Sequence, residues 1–159
     1  MIVILEGPDG AGKTTLAHQL KKMFNLEYRH EGPPPFERLP DPSTTLYYYG
    51  ALLDSARGKN VVFDRLALGE RVYGPILRRN DTLGDDGWRQ FTRLVRGVGA
   101  FQVMCLPGFR TAFETWSSGR DELITSDRVD NYEKVYRGYE ARLMNHYLYD
   151  WTVEGAYRG

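Results

Sequence analysis

Apolar positions fall into short runs and helical stripes that alternate along the chain. Ile2-Val3-Ile4-Leu5 is a short apolar run closed by a glycine turn, the mark of a buried strand. Over 13–24 the period changes. Leu16, Ala17, Leu20, Met23 and Phe24 recur at helical spacing, with a solvated His18 and with Lys21 and Lys22 on the opposite face. A second short strand at 26–30 runs into Glu31-Gly32-Pro33-Pro34-Pro35, which continues neither strand nor helix. Ser43 or Thr44 can cap a helix over 44–57 with the stripe Leu46, Tyr49, Leu52, Leu53 and Ala56, stopped by Gly58. Asn60 to Asp64, NVVFD, is a third strand.

Residues 68–79 begin helically, and Pro75 interrupts the pattern. A loop at 80–87 precedes a helix at 88–97, and Ala100 to Leu106 is a fourth strand closed by Pro107-Gly108. Residues 109–117 read as a helix. The longest helix spans 127–148, with Val129, Tyr132, Val135, Tyr136, Tyr139, Leu143 and Tyr147 inward, and 151–154 is a last strand. Alternation of buried strands and helices predicts an α/β fold, about five parallel strands with helices on both faces. Length argues for a single domain over 1–159. Right-handed crossovers bring every strand's carboxyl end to one edge.

The turn after the first strand carries the chemistry. Gly7, Gly12, Lys13 and Thr14 fit G-x-x-x-x-G-K-[ST] within EGPDGAGKTT. Glycines let the backbone wrap a phosphate, successive N–H groups form an anion nest, and the following helix adds its positive end. Lys13 reaches the β/γ phosphates and the Thr14 hydroxyl ligates Mg²⁺. The ATP site is therefore Gly7, Asp9, Gly10, Ala11, Gly12, Lys13, Thr14 and Thr15, and the fold is of the P-loop NTPase type.

Asp64-Arg65 closes the third strand on the same edge. A carboxylate there serves as the second Mg²⁺-organising or proton-accepting group, and the arginine can grip a phosphate bidentately; a surface ion pair at a strand end is the plainer alternative. The proline-stiffened segment at 33–35 can hold a substrate or merely connect. Tyr47, Tyr48 and Tyr49 span more than one helix face, so at least one is free to stack on a base. Arg71 stands close behind Asp64-Arg65. The segment 117–126, with Arg120, reads as a lid or as a helix–helix turn.

Composition narrows the classes. Lys+Arg and Asp+Glu are both 21, a balance that does not favour an obligate nucleic-acid binder, although Arg89, Arg93 and Arg96 share a helix face. Cys105 is the only cysteine, so no intrachain disulfide forms and a reducing, cytoplasmic setting is expected. No apolar run reaches membrane-span length. The base-reading Asn-Lys-x-Asp of GTPases is missing, and Asp81-Thr82-Leu83-Gly84 does not follow a strand. A motor ATPase generally needs a longer chain. A compact enzyme moving a phosphoryl group onto a small acceptor fits better.

The EGPDGAGKTT loop resembles the EG-x-DG-x-GK-[ST]-T loop of thymidylate kinases, and Asp64-Arg65 resembles that family's DR motif. Arg110, Arg120 and Tyr132 loosely match its lid arginine and tyrosine-rich helix. DRLALGERVYGPILR also looks like the small deoxynucleotide kinases of bacteriophages. The resemblance implies Mg²⁺-dependent transfer of the ATP γ-phosphate to a (deoxy)nucleoside monophosphate, in a soluble enzyme that can be a homodimer. On it, Lys13, Asp64, Arg65 and Arg120 are catalytic, Arg110 being the alternative lid arginine. Thr14 and Asp64 serve the metal, and Asp9, Arg65, Tyr49 and Arg71 hold the acceptor. The chain is short for that family, and HEGPPP stands where the family has an arginine-containing REPGG-like sequence, so thymine recognition is not implied. A hydroxyl of a nucleoside, modified base or polynucleotide is the alternative acceptor. A non-catalytic ATP sensor is the reading from a different class.

Overall fold

The computed structural model describes residues 1–31, 41–78, 80–118, 126–143, 146–153 and 157–158. The elements in order are β1 (Ile2–Glu6), α1 (Lys13–Phe24), β2 (Glu27–His30), α2 (Pro42–Ser55), β3 (Val61–Asp64), α3 (Leu68–Tyr73), α4 (Gly84–Gly97), β4 (Phe101–Cys105), α5 (Phe109–Ser118), α6 (Ser126–Glu140), β5 (Tyr147–Tyr149) and β6 (Tyr157–Arg158). They build one sheet in the order β2-β3-β1-β4-β5-β6. The first five strands are parallel, as expected, and the two-residue β6 adds an antiparallel edge.

Every residue of β1 is buried, because helices cover both faces of the central strand. Its side chains divide by the two-residue period. Ile2 and Ile4 pack with Tyr49, Leu53 and Phe91 from α2 and α4, whereas Val3 and Leu5 pack with Leu16 and Ala17 of α1. A third cluster joins α3, α5 and α6 through Leu68, Val72, Ala112, Tyr132 and Tyr139. The register sets Leu5 of β1 and His30 of β2 beside Asp64 of β3. The turn after β1 therefore opens against the end of β3.

Some boundaries differ from expectation. Asp41, not Ser43 or Thr44, caps α2: its carboxylate accepts from the Thr44 N–H at 2.9 Å and the Thr44 hydroxyl at 2.8 Å, and Pro42 occupies the first helical position. Helix α4 begins inside the expected loop. Pro75 does disrupt its helix: α3 passes into a π-turn over Gly74–Arg78. Met23 and Phe24, in the last turn of α1, are exposed rather than core.

The carboxyl end of the chain holds the largest departure. Helix α6 stops at Glu140, and Tyr147, expected on its inner face, lies in β5 opposite Val103. The free edge of β4 carries unpaired backbone groups, and pairing with 147–149 satisfies them. The expected strand at 151–154 is a turn over its described residues. Asp150 Oδ1 accepts the Thr152 N–H and hydroxyl at 2.9 and 2.6 Å and turns the chain.

Candidate active site

The turn from β1 to α1 wraps tightly because neighbouring elements leave no room for side chains. Gly7 has φ +145°, and a Cβ there would stand 2.2 Å from the Cys105 carbonyl oxygen. Gly12 has φ +83°, and a Cβ there would meet the Trp151 ring at 2.9 Å. Both positions therefore demand glycine. Lys13 is buried, and its Nζ donates to the Pro8 carbonyl at 2.6 Å, across the mouth of the loop. Burial, and secondarily the Arg65 guanidinium, lower its pKa to about 8.

Asp64 is fully buried at the end of β3. Its Oδ2 accepts from the Thr14 hydroxyl at 2.5 Å and the Tyr28 hydroxyl at 3.1 Å, and His30 Nδ1 lies 3.6 Å away. Its Oδ1 is buried with no hydrogen-bond partner among the described residues. A buried carboxylate oxygen left free beside a threonine hydroxyl is a hard-oxygen donor set of the kind Mg²⁺ takes. The residues fit that ion.

Arg65 follows in a left-handed conformation, φ +76°. Its guanidinium pairs with the Asp9 carboxylate and lies 5.6 Å from the centre of the Tyr73 ring. Tyr132 donates to the Asp9 carbonyl at 2.7 Å, so α6 reaches the phosphate loop. Glu6, the last residue of β1, is buried beneath this group, and burial raises its pKa to about 7. Burial likewise pushes the Cys105 thiol up to about 12, which leaves it a small core hydrophobe as its strand position suggests.

Two cavities meet at Asp9. One, of about 250 Å³, joins Lys13, Thr14, Asp64 and Arg65 with His30 and Thr115. The other, of about 280 Å³, lies among Tyr73, Trp116, Arg128, Asn131 and Tyr132, where the Trp116 and Tyr132 rings stack at 4.5 Å.

The predicted phosphate residues and Asp64-Arg65 thus converge. Two acceptor candidates do not join them. Tyr49 is 1% exposed and packs edge-on to Phe91 in the core, so its ring has no face for a base; Tyr47, at 79%, is the exposed member of the trio. Helical spacing puts Tyr49 on the same face as Leu46 and Leu53, which turns it inward. Arg71 turns to the loop before α4, donating to the Gly84 carbonyl at 2.6 Å and pairing with Asp81 and Asp85, so acidic groups capture it. Arg110 is 90% exposed and pairs with Glu114 on its own helix, away from both cavities. Arg120, most of the segment 117–126 and Pro33 to Pro35 lie outside the described residues.

Sequence reading missed Tyr28, His30, Glu6 and Trp151. Only the strand register pairing His30 with Asp64 reveals the first two. His18 is exposed, as read, and its ring also stacks on Tyr28 with centres 4.8 Å apart.

No family model matches the chain, and neither does any curated protein. Solved structures do. The YorR protein of Bacillus subtilis, in complex with phosphorylated GDP, superposes with a TM-score of 0.74 at 21% identity, over 95% of this chain and 85% of that one. Deoxyadenosine kinase from M. mycoides with bound dATP gives 0.60 at 17% identity, over 96% and 92%, and with bound dCTP 0.58 at 17%. The chain shares the α/β fold of these structures, a sheet of five parallel strands with helices on both faces. Within that fold, Lys13 and Thr14 open the first helix and Asp64 ends the strand beside it. No helix among the described residues is long and apolar enough to cross a membrane.

Proposed function

We propose that the protein transfers the γ-phosphate of ATP to a (deoxy)nucleoside monophosphate, giving the diphosphate. The observation that carries this reading is the Arg65–Asp9 pair standing between the two cavities. A guanidinium there can hold an acceptor phosphate in line with a donor bound by the loop. The thymidylate-kinase-like loop and the phage-type DRLALGERVYGPILR stretch support the same class.

On this reading the loop N–H groups and Lys13 hold the donor phosphates. The indole of Trp151 stands against Gly12 of this loop. Thr14 and Asp64 would hold Mg²⁺, which when bound screens charge on the transferring group. Tyr28 orients Asp64 through its hydroxyl. Asp9 faces the acceptor sugar, with the nucleoside received among Tyr73, Trp116 and Tyr132. Arg120 would close over the transferring phosphoryl. Little covalent chemistry is required, so positioning and positive charge supply the rate.

A second reading, transfer to a nucleoside hydroxyl, draws on Glu31. It follows β2, its N–H bonds to the Asp64 carbonyl at 3.4 Å, and burial raises its pKa, as suits a group accepting a hydroxyl proton.

Labelled ATP with Mg²⁺ and a panel of dNMPs, NMPs, nucleosides and DNA decides between them, with Lys13→Ala as control. Lys13-dependent transfer to one or a few monophosphates is expected. Transfer to nucleosides or DNA alone would replace the monophosphate assignment with the hydroxyl one.

A further inference from the structure

Arg65 has an unfavourable backbone. An arginine at φ +76° is held there only if its surroundings determine the turn. Its own N–H bonds to the Leu5 carbonyl of β1 at 2.9 Å. Two donors further along the turn, the N–H groups of Leu66 and Leu68, both converge on one oxygen. Glu6 Oε1 accepts them at 3.0 and 3.2 Å, from sixty and sixty-two residues away in the chain. Leu68 opens α3, and the residue before it, Ala67, has no side-chain oxygen to cap the helix. Glu6 supplies that oxygen from the neighbouring strand. It is 2% exposed, and its Oε2 is buried without a hydrogen-bond partner among the described residues, a costly arrangement for a group serving packing alone.

We infer that Glu6 is the positioning residue for Arg65, fixing the strained turn after β3 so that the guanidinium stands over Asp9 at the junction of the two cavities. Glu6 touches no reacting atom; it acts through the backbone of 66 and 68. The inference rests on the phosphate-clamping role proposed above for Arg65. It also makes Glu6 part of the reason why the end of β1 carries an acid where the strand is otherwise apolar.

The test compares Glu6→Met, which fills similar space and accepts no hydrogen bond, with Glu6→Gln, which keeps an acceptor oxygen. Glu6→Met should lower kcat with the monophosphate acceptor by about a hundredfold, the scale of a slight misplacement of a positioned group. ATP affinity, measured by binding titration, should stay within about twofold. Glu6→Gln should recover most of the loss. In an Arg65→Ala background, Glu6→Met should add almost nothing, since both changes remove one function. Equal slowing of Arg65→Ala and of the unaltered protein by Glu6→Met would overturn the inference. If Glu6→Met does not fold, amide hydrogen exchange in the unaltered protein decides. Protection of the Leu66 and Leu68 amides matching that of β3 sustains the inference, and exchange at loop rates overturns it. Absence of phosphoryl transfer by the unaltered protein would remove the kinase reading while leaving the exchange result to judge the Glu6 clamp.

Discussion

The Thr14 hydroxyl lies 2.5 Å from Asp64 Oδ2, although fifty residues separate the two. Parallel pairing of β1 with β3, in the register that sets Leu5 beside Asp64, makes this contact. It joins the first turn after the phosphate loop to the end of the neighbouring strand. The two motifs thereby become one site.

Asp64→Ala should remove that contact and the free buried Oδ1 together. Turnover should fall by at least about a hundredfold, since phosphoryl transfer depends on such positioning. ATP binding, held by the loop and Lys13, should survive. A steady-state assay beside a nucleotide-binding titration checks this. A protein that keeps its whole function after the substitution is a sensor and not an enzyme.

Gly7→Ala should destabilise the fold by about 3 kcal/mol, combining a strained φ with a backbone clash that no side-chain movement relieves. For a chain of this size the thermal midpoint should drop by roughly 6–12 °C. Calorimetry measures it directly, and an unchanged midpoint would mean that the loop yields at the Cys105 carbonyl without cost.

The tyrosine trio separates cleanly. Tyr49→Ala empties a core position against Phe91 and Leu53 and should cost about 3–5 kcal/mol. Tyr47→Ala, at the exposed position, should stay within about 0.5 kcal/mol. Denaturant midpoints of the two variants test the assignment.

Arg71→Ala should lower stability by about 1–3 kcal/mol through its lost contacts to the loop before α4. The acceptor KM should change by less than about twofold. A large rise in KM with unaltered stability would return Arg71 to the acceptor site.

Glu6 gives stability a pH signature. Its folded pKa, raised to about 7 chiefly by burial, exceeds the ordinary value of 4.5 even though the Leu66 and Leu68 N–H groups, Arg65 and Lys13 favour the anion. An acid with a raised folded pKa contributes stability that is fully present below about 4.5 and is lost as pH rises through about 7. The loss is on the order of 3 kcal/mol. Tyr73 and Tyr139 face the same carboxyl and stay neutral over this range. Thermal midpoints of the unaltered protein relative to Glu6→Gln, followed from about pH 4.5 to about pH 7.5, should decline. A flat difference contradicts the raised pKa.

Local pattern determined much of this protein. The apolar run of β1, the stripe of α1 and the glycine spacing between them are consecutive in the chain, so the phosphate loop was legible without a fold. The same holds for Asp64-Arg65, whose place at a strand end follows from NVVFD. Tertiary structure decided the rest, because those outcomes depend on partners distant in sequence. The free edge of β4 drew 147–149 out of a helical pattern of tyrosines and into β5. Burial against α4 chose Tyr49 for the core, and an acidic loop took Arg71 away from the acceptor side. Glu6 reads in sequence as the last residue before a glycine turn. Its role exists only where β1 lies beside β3, since only there can one carboxylate oxygen meet the N–H groups of Leu66 and Leu68.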